Sequence, residues 1–502
     1  MRYSYLLAGA TLSLSAPLLA GPAAAETLRE ALVKAYNTTP TLTAERANLR
    51  ATDEGVPLAR ANGLPNASVA AQYSENVLSA NSASSFGTPP RQVIVQPSIS
   101  VPLYAGGRVR NSVRAADTRV DAGRDALRDT EASVFSAVVG AYMDVMRDEA
   151  IVALNQQNVH VLDVNLQASR DRFQVGDLTR TDVAQSEARL ALARSQLQSA
   201  QARLISSREN YIQVVGTPPV DLQQPPELPN LPADTGDAVD IALKDNPALL
   251  AAAKTRDATA YDVKAANASR LPQVAAVANG TYFNYLGSIG GSSAGLIAQS
   301  GKSASVGVQL NIPLFQGGAP TAQVRQAQAR RAQAIEQATA TERSIVAQTR
   351  SSYAVWQSSL NVIASSQTAV EANKLSLEGV RAENSVGSRS ILDILNAEQE
   401  LLNSQITLVS AQRDAYVAGF ALLAAMGKAE AKDLGLDGGP LYDPVAHYRK
   451  VRNTIWDFGS DSTPVPVATS TANSPAQTSV VTRPLDPALD TPVDNTAPAP
   501  AK

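Results

Sequence analysis

Few side chains of this 502-residue chain have the type and spacing that catalysis requires. The two histidines, His160 and His447, stand far apart in the sequence, and neither belongs to a spacing typical of metal ligands. Cysteine is absent, which excludes disulfides, a thiol nucleophile, thiolate metal ligands and N-terminal lipoprotein acylation. Aspartates and glutamates are scattered over helix-like segments, where solvated faces and ion pairs account for them. The sequence therefore predicts neither an enzyme nor a cofactor site.

Two glycine pairs, Gly106-Gly107 and Gly317-Gly318, come nearest to a phosphate-binding loop. Such a loop also needs a lysine and a hydroxyl residue after the glycines, and neither pair is followed by them. Each pair instead comes shortly after a proline, Pro102 or Pro313, at which we expect a strand to end. Because glycine adopts dihedral angles that other residues resist, we interpret the pairs as strand-to-helix turns.

The two turns belong to an internal repeat. An offset of 211 residues maps the segment 101–107 on 312–318, and the same offset maps Val175-Gly176 on Val386-Gly387. Toward the N-terminal side the offset falls to 207, because Leu64-Pro65 matches Leu271-Pro272, so the second copy is four residues longer. Insertions collect in surface loops, and we expect an exposed connection there. One architectural unit has been used twice.

Each copy contains long tracts rich in Ala, Gln, Arg and Ser, nearly free of proline, that favour helix. The longest run from about 108 to 172 and from about 319 to 383, which corresponds to roughly 95–100 Å of helix. Their apolar stripes are narrow and built largely from small residues, a pattern typical of coiled-coil packing with wide polar faces in water. Helices of this length must project from the rest of the molecule.

Alternation of apolar and polar residues predicts one β-hairpin in each copy. It is clearest from Ala304 to Ile312 and recurs from Val93 to Val101, with partner strands predicted at 67–73 and 274–282. One chain thus offers about four strands, whereas closed membrane barrels need about eight or more. Because lipid does not tolerate an open sheet edge, several chains would have to share one barrel. Two soluble hairpins packed on helices are the alternative, and the alternation alone leaves it open.

The two ends of the chain carry different signals. Residues 1–25 combine Arg2, an apolar run and three alanines, which predicts a cleaved signal peptide. A membrane anchor is the alternative, but the run is short for a span and is followed by a cleavage-like site. From about Ser460 the sequence is rich in Pro, Thr, Ala and Ser, and we expect 460–502 to be a disordered tail. The net charge of −3 is too nearly balanced to suggest nucleic acid as a partner.

The predicted layout combines these signals. The first repeat is 26–216, with a hairpin at 66–103 and a long helix pair at 108–216, and the second is 236–427, with a hairpin at 273–314 and a helix pair at 319–427. A proline-rich connector at 217–235 separates the repeats, and a further segment at 428–459 precedes the tail.

The chain resembles the TolC family of outer-membrane channel proteins, most closely the branch that serves type I secretion. The most specific match is the segment from Ser385 to Leu402; Gln174 to Val183 is similar to its counterpart in the first copy, and Tyr442 to Trp456 fits the C-terminal region of that branch. The resemblance implies a mainly α fold with a membrane β-barrel. Long coiled-coil helices would form a periplasmic α-barrel, and about four strands from each chain would join a barrel shared by a homotrimer. Residues 428–459 would lie in the periplasm.

The resemblance also assigns roles to residues at the two helix breaks. In the family, the hairpin tips form the periplasmic entrance and meet an adaptor protein. The implied docking residues are Val175, Gly176, Asp177, Leu178, Val386, Gly387 and Ser388, and the implied gate residues are Thr181, Asp182, Asn384, Arg389, Asp393 and Asn396. Asn396 stands where the family has a second acid, and Asn384 where it has a tyrosine, so we expect a weaker acidic ring and a looser latch. Asp182 and Asp393 also suit simple helix caps, and this alternative stays open.

The expected function is a passive exit duct in outer-membrane lipid, for secreted proteins or small toxic solutes. The resemblance implies docking to a periplasmic adaptor (membrane fusion) protein and to an inner-membrane ABC or proton-driven pump. The alternative is a periplasmic coiled-coil structural or adaptor protein without a membrane barrel.

Overall fold

The computed structural model describes residues 25–77, 89–289, 297–436, 441–459 and 462–490. All but the last residue of the predicted signal peptide lie outside these ranges. The helices are α1 (Leu28–Thr38), α2 (Pro40–Asp53), α3 (Gly55–Ala61), α4 (Arg108–Gln174), α5 (Arg180–Val215), α6 (Thr235–Asp245), α7 (Pro247–Asn267), α8 (Ala319–Ser385), α9 (Ile391–Ala425) and α10 (Ala446–Val451).

Four strands form one antiparallel sheet in chain order: β1 (Asn66–Glu75), β2 (Arg91–Tyr104), β3 (Gln273–Asn284) and β4 (Ser300–Asn311). The two predicted hairpins are therefore joined through β2 and β3, and β1 and β4 are the edges. β4 begins four residues before the alternation does, because backbone pairing with Phe283 and Asn284 continues into a polar segment. The sheet unites strands from both repeats.

Pro102 does not end a strand, contrary to the prediction. It lies inside β2, opposite Ala275 of β3, with a register shift before Tyr104. β1 pairs with β2 only as far as Ser100, so Pro102 has a neighbouring strand on one side alone. A missing backbone N–H is tolerated where a strand lacks a neighbour on one side. Pro313 does follow the end of its strand, which lies at Asn311.

The strand-to-helix turns adopt backbone conformations that favour glycine. Gly107 and Gly318 are the N-cap residues of α4 and α8, with φ of +81° and +82°. Gly106 also has a positive φ, and a Cβ placed there would lie 2.9 Å from the Cβ of Leu271. Both backbone angle and close approach therefore exclude a side chain at Gly106.

Helices α4 and α8 contain 67 residues each, which corresponds to about 100 Å. Over their distal halves, α5, α4, α9 and α8 lie side by side in that order, whereas near the sheet α7 packs against both α4 and α8. Large buried side chains such as Phe135, Tyr211 and Phe420 form the main core where these helices meet the connector between the repeats. No helix in the described part of the chain is both long and apolar enough to span a bilayer.

Equivalent tyrosines of the two repeats hold the proline-rich connector. Tyr142 of α4 donates a hydrogen bond to the carbonyl oxygen of Gln223 at 2.6 Å, and Tyr353 of α8 donates one to that of Ala233 at 2.8 Å. These two positions are related by the repeat offset of 211 residues. The connector is thus fixed at both ends, although it has no regular secondary structure from 217 to 234.

Residues 477–490, which we call the strap, differ from the expected disordered tail. The strap begins against α5, where Arg208 donates to the carbonyl oxygens of Thr478 and Val480. It ends in a turn over α4 and α9, and Leu489 is buried there with Leu154 of α4 and Val409 of α9. Side chains of the helices donate to strap carbonyl oxygens, including Gln405 to Leu489 and Lys374 to Ala488, each at 2.7 Å. Composition predicted disorder because the strap has few apolar residues, but those few insert into a groove that the helices supply.

The strap yields the first prediction. In Leu489→Asp a carboxylate replaces an apolar side chain in a buried cluster, and such burial is strongly unfavourable. We expect the strap to detach and its amides to lose most of their protection in hydrogen exchange, with faster proteinase K cleavage. The control Val465→Asp changes an exposed valine of the same tail and should leave protection unchanged. Equal protection of 477–490 in both variants would contradict the packing of Leu489.

The helical hairpin tips as a candidate functional site

The first hairpin tip closes through backbone hydrogen bonds and one left-handed glycine. The N–H of Gly176 donates to the Phe173 carbonyl oxygen at 3.0 Å, and the N–H of Asp177 donates to that of Arg172 at 2.9 Å. These bonds make a Schellman motif at the end of α4, with Gly176 at φ +88° in the position that favours glycine. Thr179 then caps α5.

The second tip repeats this geometry. The N–H of Gly387 donates to the Asn384 carbonyl oxygen and the N–H of Ser388 to that of Glu383, each at 3.0 Å, with Gly387 at φ +80°. The Ser388 hydroxyl donates to the same Glu383 oxygen at 2.9 Å. Identical backbone motifs at repeat-equivalent positions show that both helix pairs turn by the same device.

Asp182 and Asp393 each cap the helix that leaves a tip. The Asp182 carboxylate accepts from the N–H and hydroxyl of Thr179 at 2.9 and 2.8 Å. The Asp393 carboxylate accepts from the N–H and hydroxyl of Ser390 at 3.0 and 2.8 Å. These are reciprocal capping boxes, because each Thr179 or Ser390 hydroxyl in turn accepts from the aspartate N–H. Within one chain, both acids act as the helix caps that the sequence left as the alternative.

The capping bonds also set the charge of Asp393. Its pKa lies below the ordinary value, first because the Ser390 hydroxyl and then because the Ser390 N–H stabilise the carboxylate, with a further contribution from the charge of Arg389. Asp393 is therefore a fixed negative charge in the first turn of α9, directly after the tip.

Arg389 lies in the turn, ahead of the N-cap Ser390, and not on α9. Its Nε donates to Oε2 of Glu383 at 2.8 Å, and both side chains are about half exposed. Asn384 closes the same turn by donating from Nδ2 to the Arg389 carbonyl oxygen at 2.8 Å. Glu383 could not be found from the sequence, because its ion pair with Arg389 depends on the left-handed turn between them.

Asn396 joins the two hairpins. Its side-chain oxygen accepts from Nη2 of Arg189 on α5 at 2.7 Å, so α5 and α9 are linked within about three helical turns of the tips. Thr181, also predicted as a gate residue, is exposed on the first turn of α5. Of the predicted gate residues, Asn384, Arg389 and Asp393 therefore share the second tip, whereas Thr181 and Asp182 belong to the first.

Further from the tips, Glu398 of α9 links three helices. Its carboxylate accepts from Asn165 of α4 at 3.0 Å and from Arg381 of α8 at 3.2 Å, and its side chain is 4% exposed. Burial raises its pKa, against the hydrogen bonds and charge of these partners. The repeat-equivalent pair, Arg170 and Glu187, is also formed at 3.1 Å, but the Glu187 side chain is 62% exposed. The same ion pair is thus buried in one repeat and solvated in the other.

Each tip exposes an apolar side chain at its apex. Val175 and Val386, at repeat-equivalent positions, are among the most exposed hydrophobic residues of the described chain, and Phe173 is partly exposed beside the first. Leu178 is half-buried at the first tip, whereas Asp177 and Ser388 face solvent. An apolar apex with polar flanks is a surface suited to contact with another protein.

The two histidines lie in different regions of the described chain. His160 is exposed on α4, and His447 contacts the buried Asp53 at 3.0 Å in a different region. No group of three or more His, Cys, Asp or Glu among the described residues could hold a metal ion.

Solved outer-membrane channels share this fold. The Campylobacter jejuni CmeC outer membrane channel matches with a TM-score of 0.70 and 16% identity, over 85% of this chain and 89% of that one. The outer membrane protein VceC from Vibrio cholerae matches with a TM-score of 0.67 and 22% identity, over 80% of this chain and 96% of that one. A four-stranded sheet on a long helical shaft with paired tips therefore defines the fold of an outer-membrane channel.

Sequence similarity leads to the family. The outer membrane efflux protein family matches residues 31–217 and 238–428, one block in each repeat. Outer membrane efflux protein BepC from Brucella suis biovar 1 is 34% identical over 459 residues, covering 90% of this chain and 98% of that protein. Alkaline protease secretion protein AprF from Pseudomonas aeruginosa is 28% identical over 348 residues, covering 68% of this chain and 70% of that protein.

The chain belongs to the outer membrane efflux protein family. The expected TolC-like fold, the location in the outer membrane with helices in the periplasm, and the role as an exit duct are confirmed. The alternative of a periplasmic protein without a membrane barrel is thereby excluded.

The tip glycines give the second prediction. Gly387→Ala places a Cβ at φ +80°, where nothing lies within 4 Å, so the change should act through the backbone alone and destabilise the turn by about 1–2 kcal/mol. Gly379→Ala, inside α8 and equally free of neighbours, is the matched control and should instead stabilise by about 1 kcal/mol. Hydrogen exchange of amides 380–395 measures both. Equal effects of the two variants would show that Gly387 does not need its left-handed conformation.

The two equivalent ion pairs give the third prediction. Arg381→Gln leaves the buried Glu398 without its counter-charge and should lower stability at pH 7 by about 3 kcal/mol. Arg170→Gln breaks the exposed pair and should lower it by less than about 1 kcal/mol. The pKa of Glu398 is raised in the folded chain, and more so without Arg381. The loss in Arg381→Gln should therefore shrink as pH falls through that pKa, because the protonated form needs no counter-charge. Thermal unfolding in detergent at two pH values measures the stability loss of each variant and its pH dependence. A loss in Arg381→Gln that does not change with pH would contradict the burial of a charged Glu398.

Proposed function

We propose that three copies of this chain form a passive exit duct that is energised by other proteins of a tripartite export system. The observation that carries this proposal is the pair of equivalent tips, each with an exposed valine, about 100 Å from the sheet. The tips would be the periplasmic entrance. The duct would need no active site of its own.

The open edges of the sheet support sharing between chains. Among the described residues, β1 and β4 each have a neighbouring strand on one side only, and unpaired backbone groups are very unfavourable in lipid. If β1 of one copy pairs with β4 of the next, three copies close a barrel of about twelve strands, within the range of known membrane barrels. A homotrimer in outer-membrane lipid would give the backbone N–H and C=O groups of both edge strands hydrogen-bond partners.

The partners follow from the relatives' names and the tips. BepC is named for efflux, and AprF for secretion of an alkaline protease. We propose that a periplasmic adaptor (membrane fusion) protein docks on Val175, Gly176, Val386 and Gly387 with their flanking Asp177, Leu178 and Ser388. An inner-membrane ABC or proton-driven pump would drive transport. The names support both a protein cargo and small solutes, and neither requires a binding pocket in the duct.

The gate would be formed by the second tip of each copy. Three Asp393 carboxylates converging on the axis would form a negative ring, and each is already held in its charged form by Ser390. Arg389 is drawn toward Glu383 of its own chain, so in this state it restrains its own turn. Thr181 and Asp182 of the first tip would meet the second tip across this entrance. Asn384 and Asn396, being neutral, make the ring less acidic than a second aspartate would.

The gate gives the fourth prediction. Asn at position 393 can still accept the capping hydrogen bonds but carries no charge, so Asp393→Asn should weaken cation preference in single-channel recordings without loosening the tip. The folded pKa of Asp393 is lowered, so both its capping contribution and its charge persist above the ordinary carboxyl pKa. They are lost only as pH falls through the lower folded value. Wild-type cation preference should therefore be present at pH 7 and be lost on acidification, whereas that of Asp393→Asn should not depend on pH in the carboxyl range. Unchanged selectivity in Asp393→Asn would remove this residue from the pore and leave it as a helix cap only.

Adaptor docking is tested by co-purification from native membranes, and this is the fifth prediction. The double variant Val175→Asp with Val386→Asp places charges on both apices and should lose the adaptor and pump, while trimer abundance stays normal. Val467→Asp, which changes an exposed valine outside the tips, is the matched control and should retain both partners. Retention of the adaptor by the double variant would contradict docking at the tips.

A further inference from the structure

Three large apolar side chains are exposed together near the C-terminal end of the periplasmic segment. We call Ile455, Trp456 and Phe458 the aromatic patch. Trp456 is 71% exposed and Phe458 86% exposed, and their rings meet edge to face with centroids 5.6 Å apart. Soluble surfaces rarely present such a cluster without a partner.

Contacts with α3 place the patch at the base of the sheet. Nη1 of Arg60 donates to the Arg452 carbonyl oxygen at 3.2 Å and to the Asn453 side-chain oxygen at 2.6 Å. Gly63 lies so close to Val109, the second residue of α4, that a Cβ there would be 2.8 Å from it. Arg60 is therefore only about one helical turn, roughly 5 Å, below the level at which strands become helices.

A second anchor fixes the short helix that leads to the patch. Tyr448 of α10 packs against Val56 of α3 and Val120 of α4, and its hydroxyl donates to Oδ1 of Asp117 on α4 at 2.9 Å. Thr454 then turns back through a hydrogen bond from its N–H to the Val451 carbonyl oxygen at 2.9 Å. The patch is thus presented from a held segment.

The apolar face of the strands extends down to this level. Val306, Val308, Leu310 and Ile312 alternate along β4 and just beyond its end, and all four are exposed in the single chain. Leu103 is exposed in the same way near the end of β2. The hydrocarbon boundary of the periplasmic leaflet therefore lies near the strand-to-helix turns, and the headgroup layer, roughly 6 Å thick, lies just below it.

Basic residues accompany the aromatic ones. Arg449 and Arg452 are exposed just before the aromatic patch in the sequence, with Lys450 between them. The segment 455–458 itself contains one acid, Asp457. The Arg452 guanidinium lies over the Tyr448 ring at 5.5 Å, and Arg449 is 3.7 Å from Asp443. Tryptophan and basic residues side by side are typical of segments that rest in the interfacial layer of a membrane.

We infer that the aromatic patch rests in the headgroup layer of the periplasmic leaflet, with Arg449 and Arg452 facing anionic phospholipid. This inference rests on the outer-membrane duct and adds to it a lipid contact outside the strands. Each copy would then hold α3 and the start of α4 against the membrane through its own C-terminal segment, at the point where the barrel meets the long helices.

Tryptophan fluorescence tests the inference directly, because the chain has only two tryptophans. In Trp356→Phe the emission comes from Trp456 alone. The full-length protein is reconstituted in vesicles of phosphatidylcholine and phosphatidylglycerol that carry bromine near the headgroup end of the acyl chain. We expect about a twofold loss of Trp456 emission, and a smaller loss when the bromine is near the chain terminus. Vesicles without phosphatidylglycerol should quench less.

The control is Trp456→Phe, which retains Trp356. That residue is 37 positions along α8, about 55 Å from the sheet, so bromine should not quench it. Equal quenching with and without phosphatidylglycerol would overturn the role of the two arginines. Unquenched Trp456 that acrylamide reaches would overturn the lipid contact, and unquenched Trp456 shielded from acrylamide would assign the patch to a neighbouring chain. Co-flotation of the protein with the vesicles is measured separately, because protein that does not float with them would count against the outer-membrane duct itself.

Discussion

The two unpaired strand edges are the constraint on which the rest of the structure depends. In water, β1 and β4 could bind solvent, but in the outer membrane their free N–H and C=O groups have no partner except another copy of the chain. Closure between copies then fixes the helices as well, because each strand pair continues through a glycine turn into a long helix. The repeat explains why this works: it supplies two equivalent strand-to-helix transitions and two equivalent tips per chain. A shared barrel in the membrane therefore dictates a shared helical barrel below it.

The two repeats have diverged where the chain needs asymmetry. Arg170–Glu187 and Arg381–Glu398 occupy the same positions, yet only the second is buried, because Asn165 of α4 and the neighbouring helices enclose Glu398. The tips keep one backbone motif but carry different side chains, with Arg389 and Glu383 paired only at the second. A common turn geometry thus carries different side chains at the two tips, and the Arg389–Glu383 ion pair belongs to the second alone.

The long helices and the tips could be predicted closely from the sequence, since α4 and α8 end within two residues of the expected positions. Their ends are local features, set by Gly107, Gly176, Gly318 and Gly387. The strap, the Pro102 position and the pairing of β2 with β3 could not be predicted, because each depends on surfaces that meet only after folding. Leu489 illustrates this: its neighbours suggest disorder, and only the groove between α4 and α9 buries it. The gate roles of Asp182 and Asp393 stay predictions, since a single chain shows them as caps.

Disulfide cross-linking between copies tests the shared barrel most directly. Because the chain has no cysteine of its own, only the introduced cysteines can form disulfides. One cysteine replaces Ala70 on β1, and a second replaces each β4 residue from Ala304 to Val308 in turn. If β1 and β4 of neighbouring copies pair, at least one combination brings the two Cα atoms within the roughly 4–7 Å that a disulfide requires. Oxidation in outer membranes should then give covalent dimers and trimers, and no larger species. Absence of cross-links at every β4 position, or a ladder that continues beyond three chains, would contradict the closed trimeric duct.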